Sequence, residues 1–333
     1  MTAKEVADAA QVSTSVVSLV LNGKHTGRVG AATREKVLAA ADELGYRIDG
    51  RGRSLATGRT GIIGYAAPDV NPFFAVVQTG LLRELNPDYQ VITVATDLQS
   101  SAARANLSQM LALGPDALVV STVEPERIRE LRPRCPVLIL DAPEVESDYP
   151  RINVDVDRSA AELARYLTGL GHRRFAYLDL QGGSRTIHVR RNAFVETVRA
   201  SSPECEVVHA ESPVDAEAAR ALVRDRWLAW SRMGITAVAC GSDPQAFGTI
   251  AALHDLGVDV PAEVSVVGAD DQSFSTIVQP ALTTVRIPAL EMGRRAGSVV
   301  RRMLTEDVPV EVEILETELV VRDSAGPPPG APR

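Results

Sequence analysis

Ser13-Thr-Ser-Val-Val-Ser-Leu-Val-Leu-Asn22 sits inside a compact stretch from Thr2 to Tyr46, and its reading decides how the chain begins. Ser13 suits a helix N-cap, and Val16, Val17, Val20 and Leu21 follow at helical spacing. Thr14, Ser15, Ser18 and Leu19 are left on the other side, a short, uncharged and narrow face that can enter a groove. Just upstream, Thr2-Ala3-Lys4-Glu5 has the capping-box pattern, in which hydroxyl and carboxylate each satisfy a first-turn N–H, and Val6, Ala9 and Ala10 then form a small apolar stripe. The link Gln11-Val12 allows only a tight turn. The two helices must therefore cross steeply, with Val6, Ala10, Val12 and Val16 closing the corner, which defines a helix-turn-helix. A third helix is predicted from Ala31 to Leu44, burying Val37, Leu38, Ala41 and Leu44 and stopping at Gly45.

Paired short helices also occur as plain packing units, and charge separates the two readings. Residues 1–60 carry nine basic and six acidic side chains, a net +3, and all three Lys of the chain; against −8 for the whole chain, the remainder carries −11. A basic head on an acidic body suits a module that meets phosphates while the rest stays soluble and off the duplex.

With 333 residues, 45% of them hydrophobic, the chain has room for two or three domains and a large core. It opens directly into the capping box, with no charged-then-apolar leader, and no apolar run reaches membrane-spanning length, so a cytoplasmic protein without a membrane partner is expected. Cys135, Cys205 and Cys240 are far apart, odd in number and lack metal-ligand spacing, so neither a metal nor a cofactor is expected.

Arg47 to Arg59 changes character, with Gly50, Gly52 and Gly58 interrupting a run of Arg, and reads as a linker. From Gly61 onward apolar runs alternate with amphipathic stretches. Strands are predicted at Ile62–Ala67, Val91–Ala95, Ala117–Ser121, Val137–Leu140, Ile152–Val156, Phe175–Leu180, Val207–Ala210, Ala237–Cys240, Val264–Gly268, Leu282–Ile287 and, as one region, Val312–Val321. Helices lie between most of them, among them Phe73–Leu85, Arg158–Leu170, Val189–Arg199 and Pro244–Leu256. Such alternation of continuous apolar strands with helices means parallel sheets covered on both faces, and the strand number calls for two α/β lobes. Ala325 to Arg333, with four Pro and two Gly, reads as a frayed tail. The boundaries read are thus a head at 1–46, a hinge or linker at 47–60, a two-lobed domain for effector binding and dimerisation at 61–323 and a disordered tail at 324–333.

Several blocks resemble the lactose-repressor (LacI) family of transcription regulators: Lys-Glu-Val-Ala from Lys4, Val12-Ser-x-x-x-Val-Ser-x-Val-Leu-Asn-Gly23, Thr33-Arg-Glu-Lys-Val37, Glu43-Leu-Gly-Tyr-Arg47 and Arg53-Ser-Leu55. The likeness continues through Asn71-Pro-Phe-Phe74, Gly171-His-Arg-Arg174, Val264-Ser-Val-Val-Gly-Ala-Asp-Asp271, Pro280-Ala-Leu-Thr-Thr-Val285 and Leu319-Val-Val-Arg-Asp-Ser324. It implies an all-α helix-turn-helix head joined to an α/β two-lobed, periplasmic-binding-protein-like effector domain. Crossovers between the lobes are implied near Val156, near Thr284 and close to the last strand. The implied function is that of a homodimeric regulator, most readily a repressor, that reads a pseudo-palindromic operator in double-stranded DNA through Thr14, Ser15, Ser18, Leu19, Asn22, Arg51, Arg53 and Leu55. The small-molecule effector, a sugar or glycoside first, is implied to contact Phe73, Phe74, Asp141, Thr186, Arg190 and Asp270. The departures are Val16 where the family usually has Thr, Leu19 where it often has Arg or His, and Gln11 where it has Gly. In the pocket, Ser242, Ile287, Val156, Ser159 and Ala269 depart from common family residues.

Read without the resemblance, Asp69, Asp141, Asp243 and Asp270 each follow a strand, where ligands gather in open parallel sheets but where Asp also makes turns and caps. Catalysis has little support. Adjacent Asp270 and Asp271 point in different directions, and Gly58-Arg-Thr-Gly61-Ile-Ile-Gly64 precedes a strand instead of joining one to a helix. No nucleophile–His or His-Glu-x-x-His arrangement stands out. A transport binding protein would share the two lobes but would need an export signal and no DNA head.

The linker generates the first test. Arg51-Gly-Arg-Ser-Leu55 occupies the place of the family's hinge helix, and Gly52 costs about 1 kcal/mol relative to Ala in a helix. Gly52→Ala should tighten operator binding and blunt its response to effector. Leu55→Ala should weaken specific binding far more than non-specific binding, because the resemblance implies that Leu55 wedges a base step open in the minor groove. Operator titrations that leave both variants at the parent's affinity would make the linker a passive tether.

Overall fold

The computed structural model describes residues 1–21, 23, 25–46, 58–68, 71–96, 101–122, 125–143, 147–182 and 184–330, with backbone alone for 101–104. The chain divides into two compact units, Met1–Thr60 and Gly61–Arg333.

In the first unit, α1 (Ala3–Ala10) starts on the capping box: Glu5 N–H donates to Thr2 Oγ1 at 3.3 Å and Thr2 N–H to Glu5 Oε2 at 2.6 Å. It ends on Gln11 at φ 55, the left-handed conformation that explains the Gly expected there from the resemblance. Helix α2 (Thr14–Leu21) starts on Ser13, whose Oγ accepts from Val16 N–H at 3.3 Å. Helix α3 (Ala31–Glu43) closes on Gly45 at φ 61, with Tyr46 N–H donating to Ala41 O at 2.8 Å and Gly45 N–H to Asp42 O at 3.0 Å. The core is Val6, Ala7, Ala10, Val17, Val20, Val37, Ala40 and Ala41. Two assignments change. Ala7 is buried and Ala9 exposed, and Ala40 is buried while Leu38 is 40% exposed, because three short helices in close contact admit alanines where a leucine would hold them apart.

The second unit holds two six-stranded sheets. In lobe 1 the order is β11-β5-β4-β3-β1-β2, every pair parallel: β1 (Ile62–Ala67), β2 (Gln90–Ala95), β3 (Ala117–Ser121), β4 (Val137–Leu140), β5 (Arg151–Val154) and β11 (Val312–Leu315). In lobe 2 the order is β12-β10-β9-β8-β6-β7: β6 (Arg174–Leu180), β7 (Glu206–Ser212), β8 (Ala237–Cys240), β9 (Ser265–Asp270), β10 (Thr283–Arg286) and β12 (Glu318–Val320), with β12 antiparallel to β10. Strands buried from end to end, such as β3 and β4, match the continuous apolar runs in the sequence. The region read as one last strand is two, in different sheets, broken at Glu316-Thr317. Val156 does not end a strand; it opens a helix.

Lobe 1 is flanked by α4 (Pro72–Leu85), α5 (Ser101–Ala112), α6 (Pro125–Leu131) and α11 (Ala289–Met303). Lobe 2 has α7 (Val156–Gly169), α8 (Arg185–Ser201), α9 (Ala216–Arg232) and α10 (Asp243–Asp255). The chain changes lobe at Asp155, between Arg286 and Ala289, and at Glu316-Thr317. Helix α11, which the sequence reading did not single out, returns from lobe 2 to lie on α4. A Cβ on Gly80 would stand 2.3 Å from Leu290 O, and one on Gly293 2.0 Å from Val77 O. Only glycine lets these backbones meet.

The tail reading is corrected. Ser324 is fully buried, its Oγ donating to Val266 O at 2.6 Å and accepting from Thr283 N–H at 2.8 Å. Two residues on, Gly326 O accepts from His172 Nε2 at 2.9 Å, which leaves Nδ1 to accept from the Thr236 hydroxyl at 2.8 Å. Proline and glycine bar regular structure there, yet these residues satisfy groups at the margin of the lobe 2 sheet; 331–333 lie outside the described residues.

The helix contact makes a stability prediction. Gly293→Ala should cost about 1–3 kcal/mol, the usual range for overpacking a tight contact. Urea unfolding measures it, and a variant as stable as its parent would show that α4 and α11 can part freely.

Candidate functional sites

On α2, Thr14, Ser15 and Ser18 are exposed and Leu19 is half-buried, while Val17 and Val20 hold the helix to the head's core. The outer face is therefore the short, uncharged one expected. Asn22, Arg51, Arg53 and Leu55 lie outside the described residues.

The second site is the cleft between the lobes, a cavity of about 1150 Å³ at the carboxyl ends of both sheets. Phe73, Phe74, Asp141, Thr186, Arg190 and Asp270 all line it. Asn71 N-caps α4 through Phe73 N–H at 3.0 Å, and this first turn presents Phe73 and Phe74, packed edge to face at 5.2 Å. Asp141 follows β4 at φ 57, and Thr186 of α8 reaches across from lobe 2 to donate to its backbone oxygen at 3.0 Å. One turn on, Arg190 Nη1 donates to Gly241 O at 2.7 Å.

The cleft's two carboxyls are unusual. Asp141 Oδ1 is buried and accepts no hydrogen bond from any described residue. Burial pushes Asp141 up to about 6 against the pull of Arg190. Asp270 is pushed up to about 8, first by burial and then by the nearby Asp243, with Arg190 and Gln272 pulling the other way. At neutral pH the floor thus holds a protonated Asp270, a largely ionised Asp141 and a guanidinium with donors to spare.

Some readings are redrawn. Asp243, taken with the others as outlining the cleft, is fully buried behind it and accepts from Thr284 Oγ1 at 2.6 Å, Ser275 Oγ at 2.7 Å and Gln272 N–H at 2.7 Å. Asp69 lies outside the described residues. Of the pocket departures, Ser242 and Ile287 line the cleft, whereas Val156, Ser159 and Ala269 are buried below it. Sequence reasoning missed Arg127, Arg185 and His188, exposed residues that line the cleft, because nothing local distinguishes them from solvated helix residues. Among the described residues no group of His, Cys, Asp or Glu could hold a metal ion, and no helix is long and apolar enough to cross a membrane.

A helix-turn-helix head and a two-lobed domain with a polar cleft define a ligand-responsive transcription regulator. Residues 2–49 match the bacterial regulatory proteins of the lacI family, and residues 164–325 the periplasmic binding protein-like domain. The chain is 35% identical to the HTH-type transcriptional regulator MalR of Streptomyces coelicolor, over 98% of this chain and 97% of that one. It belongs to the LacI family. In fold it is similar to the lac repressor dimer bound to operator and the anti-inducer ONPF, with a TM-score of 0.79 at 22% identity over 98% and 99% of the two chains. It is also similar to the transcriptional regulator CelR in complex with cellobiose, with a TM-score of 0.71 at 23% identity over 98% and 100%. The chain is accordingly a DNA-binding transcription regulator under effector control, not an enzyme.

The raised carboxyls give a pH prediction. Asp270 has a folded pKa of about 8 against 3.8 ordinarily, so its contribution to stability is fully present below pH 4 and is lost as pH rises towards 8. Asp270→Asn should therefore raise the melting temperature of the ligand-free protein more at pH 8 than at pH 5. Equal shifts at both would place an ordinary carboxylate there.

Proposed function

We propose that the protein is a cytoplasmic, homodimeric repressor whose hold on a pseudo-palindromic operator is set by a sugar or glycoside in the cleft. The observation that carries the ligand class is the buried, unpartnered Asp141 Oδ1 beside the donors of Arg190. A sugar hydroxyl both donates and accepts, so neighbouring hydroxyls satisfy carboxylate and guanidinium together. Protonated Asp270 adds a donor, and Phe73 and Phe74 offer ring faces and edges to the apolar side of a sugar. A cavity of about 1150 Å³ is slightly larger than most small-ligand sites, which leaves room for a glycoside of more than one ring. The cellobiose held by CelR agrees in class.

The head supports direct base readout. Thr14, Ser15 and Ser18 supply hydroxyls for base edges or phosphates, and Leu19 can pack on a thymine methyl where an Arg would seek guanine. One head alone makes too few contacts for useful specificity, so two side by side are required, which a pseudo-palindrome matches. Phe274 and Ile277, 62% and 66% exposed, form an apolar spot on lobe 2 that a second copy would cover.

Arg190→Ala tests the site. Losing charge-assisted hydrogen bonds should weaken binding of the best ligand from a panel of mono- and disaccharides by about 1.5–3 kcal/mol. Operator affinity without ligand should stay near the parent's. Calorimetry and a DNA titration on one preparation separate the two, and unchanged sugar affinity would take Arg190 out of the site.

A further inference from the structure

At the end of β9 the backbone makes an unusual turn. Asp270 and Asp271, two consecutive residues with side chains, stand at φ 120 and φ 54. Left-handed conformations outside glycine persist only where the surroundings hold them. Here Asp271 is gripped by Arg286 Nε at 2.7 Å and Arg322 Nη2 at 2.5 Å, and the next residue, Gln272, has its N–H fixed on buried Asp243. The turn brings the Gln272 side chain within reach of Asp270 and Asn71, both of which line the cleft.

Its amide is divided between the lobes. Gln272 Nε2 lies 3.3 Å from Asp270 Oδ2 in lobe 2 and 3.3 Å from Asn71 Oδ1 in lobe 1. The amide carries two protons, one for each acceptor. Asn71 Oδ1 is the atom that caps α4, and α4 presents Phe73 and Phe74 to the cleft while its other side is locked on α11. A short path of hydrogen bonds thus runs from Asp270, which faces the ligand space, to the start of the helix that forms the opposite wall.

We infer that Gln272 is a positioning residue: by sharing its amide between Asp270 and Asn71 it latches the two lobes, so that engagement of Asp270 by a ligand sets how firmly α4 is held to lobe 2. The latch deepens the cleft reading above by adding closure to recognition, and it does not depend on the ligand being a sugar. Gln272 touches Asp270 and Asn71, and it acts through them.

The test uses full-length, ligand-free protein. Spin labels at Ser108→Cys on α5 and Ser231→Cys on α9, both exposed sites, report the distance between lobes; Cys135→Ser removes the half-buried thiol, and labelled chains are diluted with unlabelled ones so that only distances within a chain count. Gln272→Met keeps the length and removes both donors. Asn71→Ser keeps an N-cap but is too short to reach Gln272, whereas Asn71→Asp keeps both cap and acceptor. Losing the Gln272–Asn71 hydrogen bond, the one of the amide's two that crosses between the lobes, should raise the ratio of open to closed lobes about 2- to 10-fold in Gln272→Met and in Asn71→Ser. The double variant should open no further than either single one, and Asn71→Asp should match the parent, which shows that position 71 tolerates change. Parent-like distances in Gln272→Met, or openings that add in the double variant, would overturn the latch. Neither result bears on the sugar titration, so the two readings fail separately.

Discussion

A single buried carboxylate organises the ligand-facing half of lobe 2. Asp243 opens α10 and accepts three hydrogen bonds, from the strand β10 hydroxyl of Thr284, from Ser275 in the short 3₁₀ turn (Ser273–Thr276) and from the backbone of Gln272. Burial pushes its pKa up while these three donors favour its charge, and a charge so placed must keep its partners or become very costly. Gly268 on β9 is part of the same arrangement, since a Cβ there would stand 2.4 Å from Asp243 Oδ1. Helix, strand and turn are therefore fixed to one another, and the strained pair Asp270-Asp271 is held from beneath.

That constraint explains the electrostatics of the cleft. With Asp243 sealed behind the floor, a second charge on Asp270 meets both a dry environment and a like neighbour, and the proton is retained there to about pH 8. Asp141 comes from the other lobe; Arg190 draws it down as it does Asp270, but Asp243 does not act on it, so it is raised only to about 6. Two similar carboxyls thus differ in charge near neutrality for reasons of position alone. The floor offers a donor, an acceptor and a cation together, which a polyol satisfies without bringing any charge of its own.

The head was the most legible part of the sequence, because capping boxes and helix stops are local signals that depend on a few adjacent residues. The strands were nearly as clear, since a strand buried on both faces leaves a continuous apolar run. What failed needed tertiary knowledge. Nothing local separates Asp243 from Asp270: both follow a strand, and only the packing of β10 and the 3₁₀ turn buries one and leaves the other facing the cleft. The run from Val312 to Val321 reads as one strand because two edge strands in different sheets abut at Glu316-Thr317. Leu38 gave way to Ala40 because close helix packing rewards small size over hydrophobicity. Gln272 carried no signal at all, since its partner Asn71 is 201 residues away.

The connections between the lobes decide what motion remains for a ligand to control. Two of the three crossovers are tied to each other: Asp155 Oδ1 accepts from Thr317 N–H at 2.8 Å and from its hydroxyl at 2.6 Å, and Arg158 Nη2 donates to Thr317 O at 3.4 Å. A bonded pair of connections resists shear and stretching far better than bending, because bending leaves each hydrogen bond nearly unchanged in length. The third crossover feeds α11, whose glycines lock it to α4 in lobe 1, so lobe 1 and its returning helix move as one piece. The lobes are then free chiefly to open and close about the crossovers. At the cleft, the hydrogen bonds of Thr186 to Asp141 and of Gln272 to Asn71 are two that opening must break. Each is a neutral hydrogen bond of modest strength, which suits an equilibrium that a small molecule has to shift.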